Sequence, residues 1–242
     1  MNLLLLEPAE IASGSPVTVR GERARHLREV LRVVPGQAVR AGVIDGPLGA
    51  VTVVEVHPDR VQLDARTLAG APVPERCRVD LLLAMPRPKV FARLLSAIAS
   101  VGVGQVWITG ATRVERYYFD CHQLEPGEIR RHLLDGLEQA RDTRLPEVTV
   151  HRSLGQLLEG LLPAAATRLV ADLDPSLPRV AQACPAQGRV IVAIGPEGGW
   201  VDAERALLAR HGFLAVGLGG RVLPSDVACL VALGLVHDAL RR

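Results

Sequence analysis

Two apolar runs near the end of the chain each stop at a glycine-rich turn. Val190–Ile194 leads into Gly-Pro-Glu-Gly-Gly at 195–199, and 213–216 leads into Leu-Gly-Gly-Arg-Val-Leu-Pro at 218–224. Runs that are apolar throughout are typical of parallel strands buried on both faces, and the carboxyl ends of such strands commonly form ligand sites. Glycines at that edge let the backbone approach a ligand closely. The two turns together therefore predict one binding site in an α/β domain.

The chain after about residue 75 repeats this pattern. Apolar strands are predicted at 79–84, 106–109, 169–173, 190–194 and 214–218, and helical spacing is clearest at 89–100 and 128–141. Ser225 can cap a last helix that has Asp226 in its first turn. Strands that alternate with helices indicate a parallel sheet covered on both faces.

Residues 1 to about 70 have a different hydropathy pattern. Short stretches at 17–20, 38–41, 50–56 and 61–64 alternate apolar and polar side chains, and turn signals such as Pro-Gly at 35–36 separate them. This pattern predicts a small antiparallel β-barrel interrupted by one helix at about 22–32. Gly-Ala-Pro-Val-Pro at 70–74 has the composition of a stiff linker. We therefore predict two domains, residues 1–71 and residues 75–242.

Charge and aromatic content restrict how this chain could recognise a nucleic acid. Aromatic residues are only 3% of the chain, which argues against an array of stacking rings, and a net charge of +2 requires any binding surface to be a local patch. One such patch is predicted on the first helix and its approach, where phosphate contacts would orient an RNA. The alternative is a solvated helix face with Glu22 and Glu29 as counter-charges. The predicted RNA-binding residues are Arg20, Arg23, Arg25, His26, Arg28 and Arg32.

Several other classes of protein are disfavoured. The four cysteines are far apart and no secretory signal is recognisable, so we expect reduced thiols in a cytoplasmic protein. Residues 94–112 carry no charge, but serines and glycines interrupt them, and no membrane span is expected. His122 and His132 lack ligand spacing, so no metal site is expected. The first glycine turn has neither phosphate-binding fingerprint, which disfavours a nucleotide-dependent enzyme of ordinary doubly wound fold.

The paired C-terminal turns closely resemble the SPOUT class of S-adenosylmethionine-dependent RNA methyltransferases. More narrowly, they are similar to the family that methylates N3 of a uridine in the 16S rRNA of the small ribosomal subunit. That family carries I-G-P-E-G-G followed by L-G-x-R-[IV]-L, and this chain has both at 194–199 and 218–223. The segments 26–36 and 136–148 also match family motifs, so the resemblance covers nearly the whole chain.

This resemblance implies an N-terminal PUA-like barrel and a C-terminal α/β domain with a deep trefoil knot, acting as a homodimer on 16S rRNA or the small ribosomal subunit. It also implies S-adenosylmethionine as cofactor. Since N3 of a paired uridine is buried, the target must be unpaired or flipped out. The predicted cofactor-binding residues are Ala171, Asp172, Leu173, Ile194, Gly195, Pro196, Glu197, Gly198, Leu218, Gly219, Gly220, Val222 and Leu223.

Three residues are candidates for catalysis. Glu197 and Asp226 could accept the N3 proton, and Arg221 could stabilise the developing uridylate. Glu197 could equally cap backbone donors at the start of a helix.

The chain departs from the family at two places. Pro-Ser-Asp-Val-Ala at 224–228 stands where the family usually has R-T-E-T-A, and Ser-Val-Gly-Val at 100–103 stands for E-L-G-V. These changes keep a second hypothesis open, that of an RNA-binding or ribosome-assembly protein of the same fold with an altered target or lost activity.

Overall fold

The computed structural model describes residues 2–12, 16–160, 162–163 and 165–240. These residues form two compact units. The first takes the described residues of Met1–Arg76 together with Leu134–Leu145, and the second takes Cys77–Leu133 and those of Pro146–Arg242. In the described part of the chain, no helix is both long and apolar enough to span a bilayer.

The first unit is built on a five-stranded sheet with the strand order β1-β3-β4-β5-β2. Its 3-10 turn, Arg66–Gly70, follows the last strand. Helix α2 continues directly into a π-helical turn, His26–Val30, so the single helix predicted at 22–32 is two segments. The elements are β1 (Leu4–Leu6), α1 (Pro8–Ala12), β2 (Val17–Arg20), α2 (Gly21–Arg25), β3 (Ala38–Val43), β4 (Leu48–Val56) and β5 (Arg60–Asp64).

Strand β1 makes the sheet mixed, whereas the sequence predicted an antiparallel one. It pairs parallel with β3, while the β2–β5, β3–β4 and β4–β5 pairs are antiparallel. Leu4 and Leu6 enter the main core of this unit, and Leu3 and Leu5 pack with Leu137. Because both faces of β1 are covered, its sequence lacks the alternation by which the other strands are recognisable.

The second unit is built on a six-stranded parallel sheet with the order β11-β9-β10-β6-β7-β8. Two 3-10 turns, Arg116–Asp120 and His122–Leu124, precede α4. The elements are β6 (Val79–Ala84), α3 (Pro88–Val101), β7 (Gln105–Thr109), α4 (Pro126–Ala140), β8 (Glu147–His151), α5 (Leu154–Gly160), β9 (Thr167–Asp172), α6 (Val180–Ala183), β10 (Val190–Ile194), α7 (Asp202–Arg210), β11 (Phe213–Gly217) and α8 (Ser225–Leu240).

The order of these strands creates a switch point. The chain steps outward from β6 through β7 to β8, then crosses to the other side of β6, where it forms β9, then β10 between β9 and β6, and last β11 on the outer side of β9. Ligands bind in open parallel sheets at the carboxyl ends of strands where such a reversal occurs. The sequence missed β8 because this edge strand is partly exposed and polar, unlike the fully buried β6 and β10.

Candidate functional site

A cavity of about 310 Å³ lies at the carboxyl ends of β9, β10 and β11, next to the start of α8. This volume is at the lower end of the range of small-molecule sites in proteins. All of the predicted cofactor-binding residues except Gly220 line it. Gly220 instead lines a shallower neighbouring depression with Val231. The structure thus brings together two turns that are about twenty residues apart in the sequence.

The first turn lies against a buried tryptophan. A Cβ atom on Gly195 would be 3.1 Å from both Cδ1 and Nε1 of Trp200, closer than an ordinary van der Waals contact. The indole is only 3% exposed and belongs to the hydrophobic core of the second unit, so it has little room to move. Gly199 closes the turn by donating its N–H to the Pro196 carbonyl at 2.8 Å, with a φ of 74°. The turn therefore needs glycine at both positions.

The second turn presents peptide groups to the cavity. In the described part of the chain, the N–H groups from Gly219 to Leu223 donate to no other backbone group. Gly219 has a φ of 129°, in the region that favours glycine. Leu218, Val222 and Leu223 place apolar side chains among these peptide groups along the cavity wall. Free donors between apolar side chains suit a flat heterocycle with hydrogen-bond acceptors on its edge.

Two arginines that the sequence analysis did not identify hold the first turn. Arg113 donates to the Gly198 carbonyl, and a Cβ on Gly198 would lie 2.9 Å from the Arg113 side chain. Arg205 donates to the Trp200 carbonyl at 2.6 Å. Both arginines also line the cavity, so they add positive charge to it.

The three candidate catalytic residues have different surroundings. Arg221 lines the cavity, is exposed, and makes no ion pair within the described residues. Glu197 also lines the cavity, but its carboxylate is paired with Arg87 at 3.0 Å. Asp226 is paired with Arg93 at 2.8 Å and is not among the residues lining the cavity. Each carboxylate thus has an arginine beside it, whereas Arg221 has no ion-pair partner among the described residues.

The predicted RNA-binding residues all lie in the first unit, on β2, α2, the π-helical turn and the segment just after it. Arg20 pairs with Asp59, Arg25 with Glu22 and Arg28 with Glu29. The pairs of Arg20 and Arg25 are solvent-exposed and contribute little to stability, so these guanidinium groups can exchange their partners for phosphates, whereas the Arg28 side chain is only 26% exposed.

Arg23 differs from the other arginines of this group. Its guanidinium donates twice to the Glu10 carboxylate, at 2.6 and 3.0 Å, and once to the Leu5 carbonyl. Hydrogen bonding to Glu10 raises the pKa of Arg23. Burial alone would raise the pKa of Glu10, but hydrogen bonds from Arg23 and the Glu7 backbone outweigh it, and the pKa is lowered. Arg23 therefore has a structural role that the sequence did not indicate.

The described residues contain no group of three or more His, Cys, Asp or Glu side chains that could hold a metal ion.

Comparisons with known proteins identify the family. Residues 73–237 match the model of the RNA methyltransferase domain. The chain is 30% identical to the ribosomal RNA small subunit methyltransferase E of Treponema pallidum (strain Nichols), over 100% of this chain and 94% of that protein. The chain belongs to the ribosomal RNA small subunit methyltransferase E family.

Solved structures share the fold of this family member. A probable rRNA methyltransferase from Porphyromonas gingivalis has a TM-score of 0.80 and 20% identity, and covers 99% of this chain and 98% of its own. The methyltransferase E of Neisseria gonorrhoeae, solved bound to S-adenosyl methionine, has a TM-score of 0.78 and 20% identity, with coverage of 98% and 97%. The mixed α/β fold with two sheets, as found here, is the fold of these proteins.

Two arginines that the sequence analysis missed lie far from the glycine turns in the sequence of this methyltransferase family member: Arg113 lines the cavity, and Arg87 pairs with Glu197, which lines it. Arg113 follows β7 and Arg87 precedes α3, whereas the glycine turns follow β10 and β11. No fixed spacing joins these segments, so the sequence alone held no signal for them. Trp200 was different, since it directly follows the first glycine turn, and a large aromatic residue there could have indicated close packing.

Proposed function

We propose that this chain transfers a methyl group from S-adenosylmethionine to N3 of a uridine in the 16S rRNA of the small ribosomal subunit. The observation that carries the proposal is the convergence of both glycine turns, each matching a family motif, on one cavity at the carboxyl ends of β9, β10 and β11. The family membership and the cofactor bound to the gonococcal relative support the same reaction.

The residues of the cavity fit S-adenosylmethionine. The unpaired peptide N–H groups at 219–223 match the acceptor nitrogens of an adenine ring, and the apolar side chains of that turn match its faces. Gly195 packs closely on Trp200 and has no side chain, so at this position the backbone itself forms the cavity wall. When bound, the cofactor supplies an electrophilic methyl group. The protein then has to position the acceptor nitrogen in line with it, which is where most of the acceleration arises.

Arg221 is the residue that we propose acts on the acceptor. Uracil N3 must lose its proton to water, and negative charge then spreads toward the neighbouring carbonyl oxygens. A guanidinium that is free of internal ion pairs can stabilise this charge or hold an adjacent phosphate. We assign Glu197 and Asp226 to positioning roles, because each is bound to an arginine.

At the level of domains, we propose that residues 1–71 form a PUA-like barrel that binds rRNA through arginines of β2, α2 and the segment that follows α2, Arg23 excepted. We propose that residues 75–242 form a SPOUT domain with a trefoil knot, and that the cytoplasmic enzyme is a homodimer. The match of residues 73–237 to the RNA methyltransferase domain supports a catalytic role for the second part.

The experiment that tests this proposal is methyl transfer by the purified protein. Small subunits and naked 16S rRNA, both lacking native methylation, are incubated with isotope-labelled S-adenosylmethionine, and the RNA is digested for mass spectrometry. The expected product is a single labelled 3-methyluridine. Cofactor binding and RNA binding without label in either substrate would instead support the assembly-protein hypothesis, which the Pro224–Val227 departure suggests.

A further inference from the structure

A second cavity of about 540 Å³ opens at the same edge of the parallel sheet. It lies where the carboxyl ends of β7 and β8 lead into the loops that begin at Gly110 and Arg152. The proposed methyl transfer uses none of its residues. They are Gly110, Ala111, Thr112, Val114, Arg116, Phe119, Arg152, Leu154 and Glu204.

The two cavities share their dividing wall. Arg113 lines the cofactor cavity, whereas Thr112 and Val114, on either side of it in the chain, line the second cavity. On helix α7, Arg205 faces the cofactor cavity and Glu204 the second one. In both segments, residues that are adjacent in the chain therefore line different cavities, and the two cavities are neighbours. An extended ligand that reaches the cofactor cavity can place its next unit in the second.

The wall itself is fixed by a buried carboxylate. Glu204 accepts hydrogen bonds from the Thr112 backbone N–H at 2.6 Å, from the Thr112 hydroxyl at 3.0 Å and from the Val201 N–H at 3.0 Å. This side chain is nearly inaccessible to solvent. Its hydrogen bonds tie the loop after β7 to α7, so the shape of the second cavity is set before any ligand arrives.

The lining has the chemistry that binds a base of single-stranded RNA. The Arg152 guanidinium carbon lies over the face of the Phe119 ring, 5.5 Å from its centre, and the same guanidinium pairs with Asp120 at 2.8 Å. Unstacked RNA bases lie on such aromatic rings and guanidinium planes. Val114 and Leu154 add apolar surface, and Arg116 adds a positive charge for a phosphate. A ligand with an anionic backbone and flat, largely uncharged units suits the arginines, the aromatic ring and the apolar side chains of this lining, while the Glu204 carboxylate is already bound within the protein.

We propose that the second cavity binds the base of an unpaired nucleotide that adjoins the target nucleotide in the RNA substrate. Contacts to flanking nucleotides are a common source of sequence context in enzymes that act on a base out of its stack. The site would therefore select the sequence around the methylated position. This inference rests on the proposed function, since it needs an RNA strand in the cofactor cavity.

A binding experiment on the full chain tests the site without requiring methyl transfer. Fluorescence anisotropy compares a labelled decauridylate with a decamer of abasic ribose phosphates. We expect the wild-type protein to prefer the oligomer that carries bases. Phe119→Leu keeps an apolar side chain but removes the ring, and should reduce this preference about 10-fold, within the range for one base stacked on an aromatic group. Phe119→Trp should retain it.

A matched control comes from the same 3-10 turn. Tyr117 is 65% exposed, packs edge-on against Tyr118 at 4.8 Å and is not part of either cavity lining. Tyr117→Leu should leave the preference for bases unchanged. Arg152→Ala, at an exposed position, should act like Phe119→Leu and provides a second variant with little risk to folding.

Methyl-transfer kinetics then separate this inference from the proposed function. With rRNA as substrate, Phe119→Leu should raise KM for RNA about 10-fold while the cofactor Kd measured by calorimetry stays unchanged. A wild-type KM in that variant, or no preference for bases in the wild-type protein, would overturn the second site while methyl transfer stands. If no rRNA is methylated but the base preference depends on Phe119, the proposed function fails and the RNA site stands.

Discussion

Replacing Gly195 with valine tests the cofactor cavity through its tightest contact. A Cβ at this position would lie 3.1 Å from two atoms of the Trp200 indole, where ordinary contacts begin at about 3.4 Å. Trp200 is buried in the core of the second unit and cannot retreat. The first turn must therefore move the other way, into a cavity of only about 310 Å³, and the two further methyl groups of valine enlarge the effect.

The size of the effect follows from overpacking. Inserting extra carbon atoms at a well-packed site typically costs about 1–3 kcal/mol. If the turn shifts by the few tenths of an ångström needed, most of this cost falls on cofactor binding and raises Kd about 5- to 150-fold. Gly195→Ala should lie near the lower limit, and Gly195→Val at or beyond the upper one. Calorimetry with S-adenosylmethionine measures both, and thermal unfolding shows that the fold survives.

Gly127→Ala and Gly127→Val are the matched controls. Gly127 lies in the first turn of α4, where a Cβ would meet no atom within 4 Å, so cofactor affinity should stay at the wild-type value. Near-normal affinity in Gly195→Val would refute the reasoning, because the cofactor would then have to bind elsewhere.

Three further predictions concern catalysis, RNA binding and stability. Arg221→Ala should keep the cofactor Kd within a few-fold of the wild-type value but lower turnover roughly 100-fold, the scale of one lost electrostatic partner. Arg221→Lys should restore little of this turnover if the contact is bidentate. Wild-type turnover in Arg221→Ala would show that the side chain is only a surface charge. A triple variant that lacks Arg25, Arg28 and Arg32 should bind RNA with a weaker salt dependence. The slope of the logarithm of the RNA association constant against the logarithm of salt concentration should fall by about 2 if each arginine contacts a phosphate of single-stranded RNA. An unchanged slope would favour the solvated-face alternative for these residues. The Glu10 carboxylate has a lowered pKa in the folded state, so it stabilises the fold above its unfolded value of 4.5. Glu10→Gln should thus be less stable than wild type at neutral pH, and the difference should shrink as pH falls through the lowered pKa; a difference that is constant with pH in urea unfolding would contradict this.

The parallel sheet could be predicted from the sequence because its central strands are buried on both faces. Strand β10 is apolar at every position and β6 at all but Asp80, so the pattern identifies both strands without any tertiary information. Strands β1 and β8 lacked a usable signal. The first has only three residues, and the second is a half-exposed edge strand with polar side chains.

The candidate site was predictable where it depends on local backbone chemistry. The backbone conformation and close packing of both turns require glycine at particular positions. These glycines can be recognised in the sequence without knowledge of the fold. Arg113 and Arg87 could not be, since they reach the site from segments that only the folded sheet brings close. The ion pairs of Glu197 and Asp226 with arginines could not be predicted from the sequence either. They leave Arg221 as the catalytic candidate that has no ion pair within the described residues.

The most direct test of the central claim is a map of methylated nucleosides in small-subunit rRNA from cells with and without this gene. We expect deletion to remove one 3-methyluridine and no other modification. We also expect the wild-type gene to restore it, whereas the Gly195→Val and Arg221→Ala variants should not. An identical set of modified nucleosides in both strains would contradict the assignment of this chain as an rRNA uridine-N3 methyltransferase.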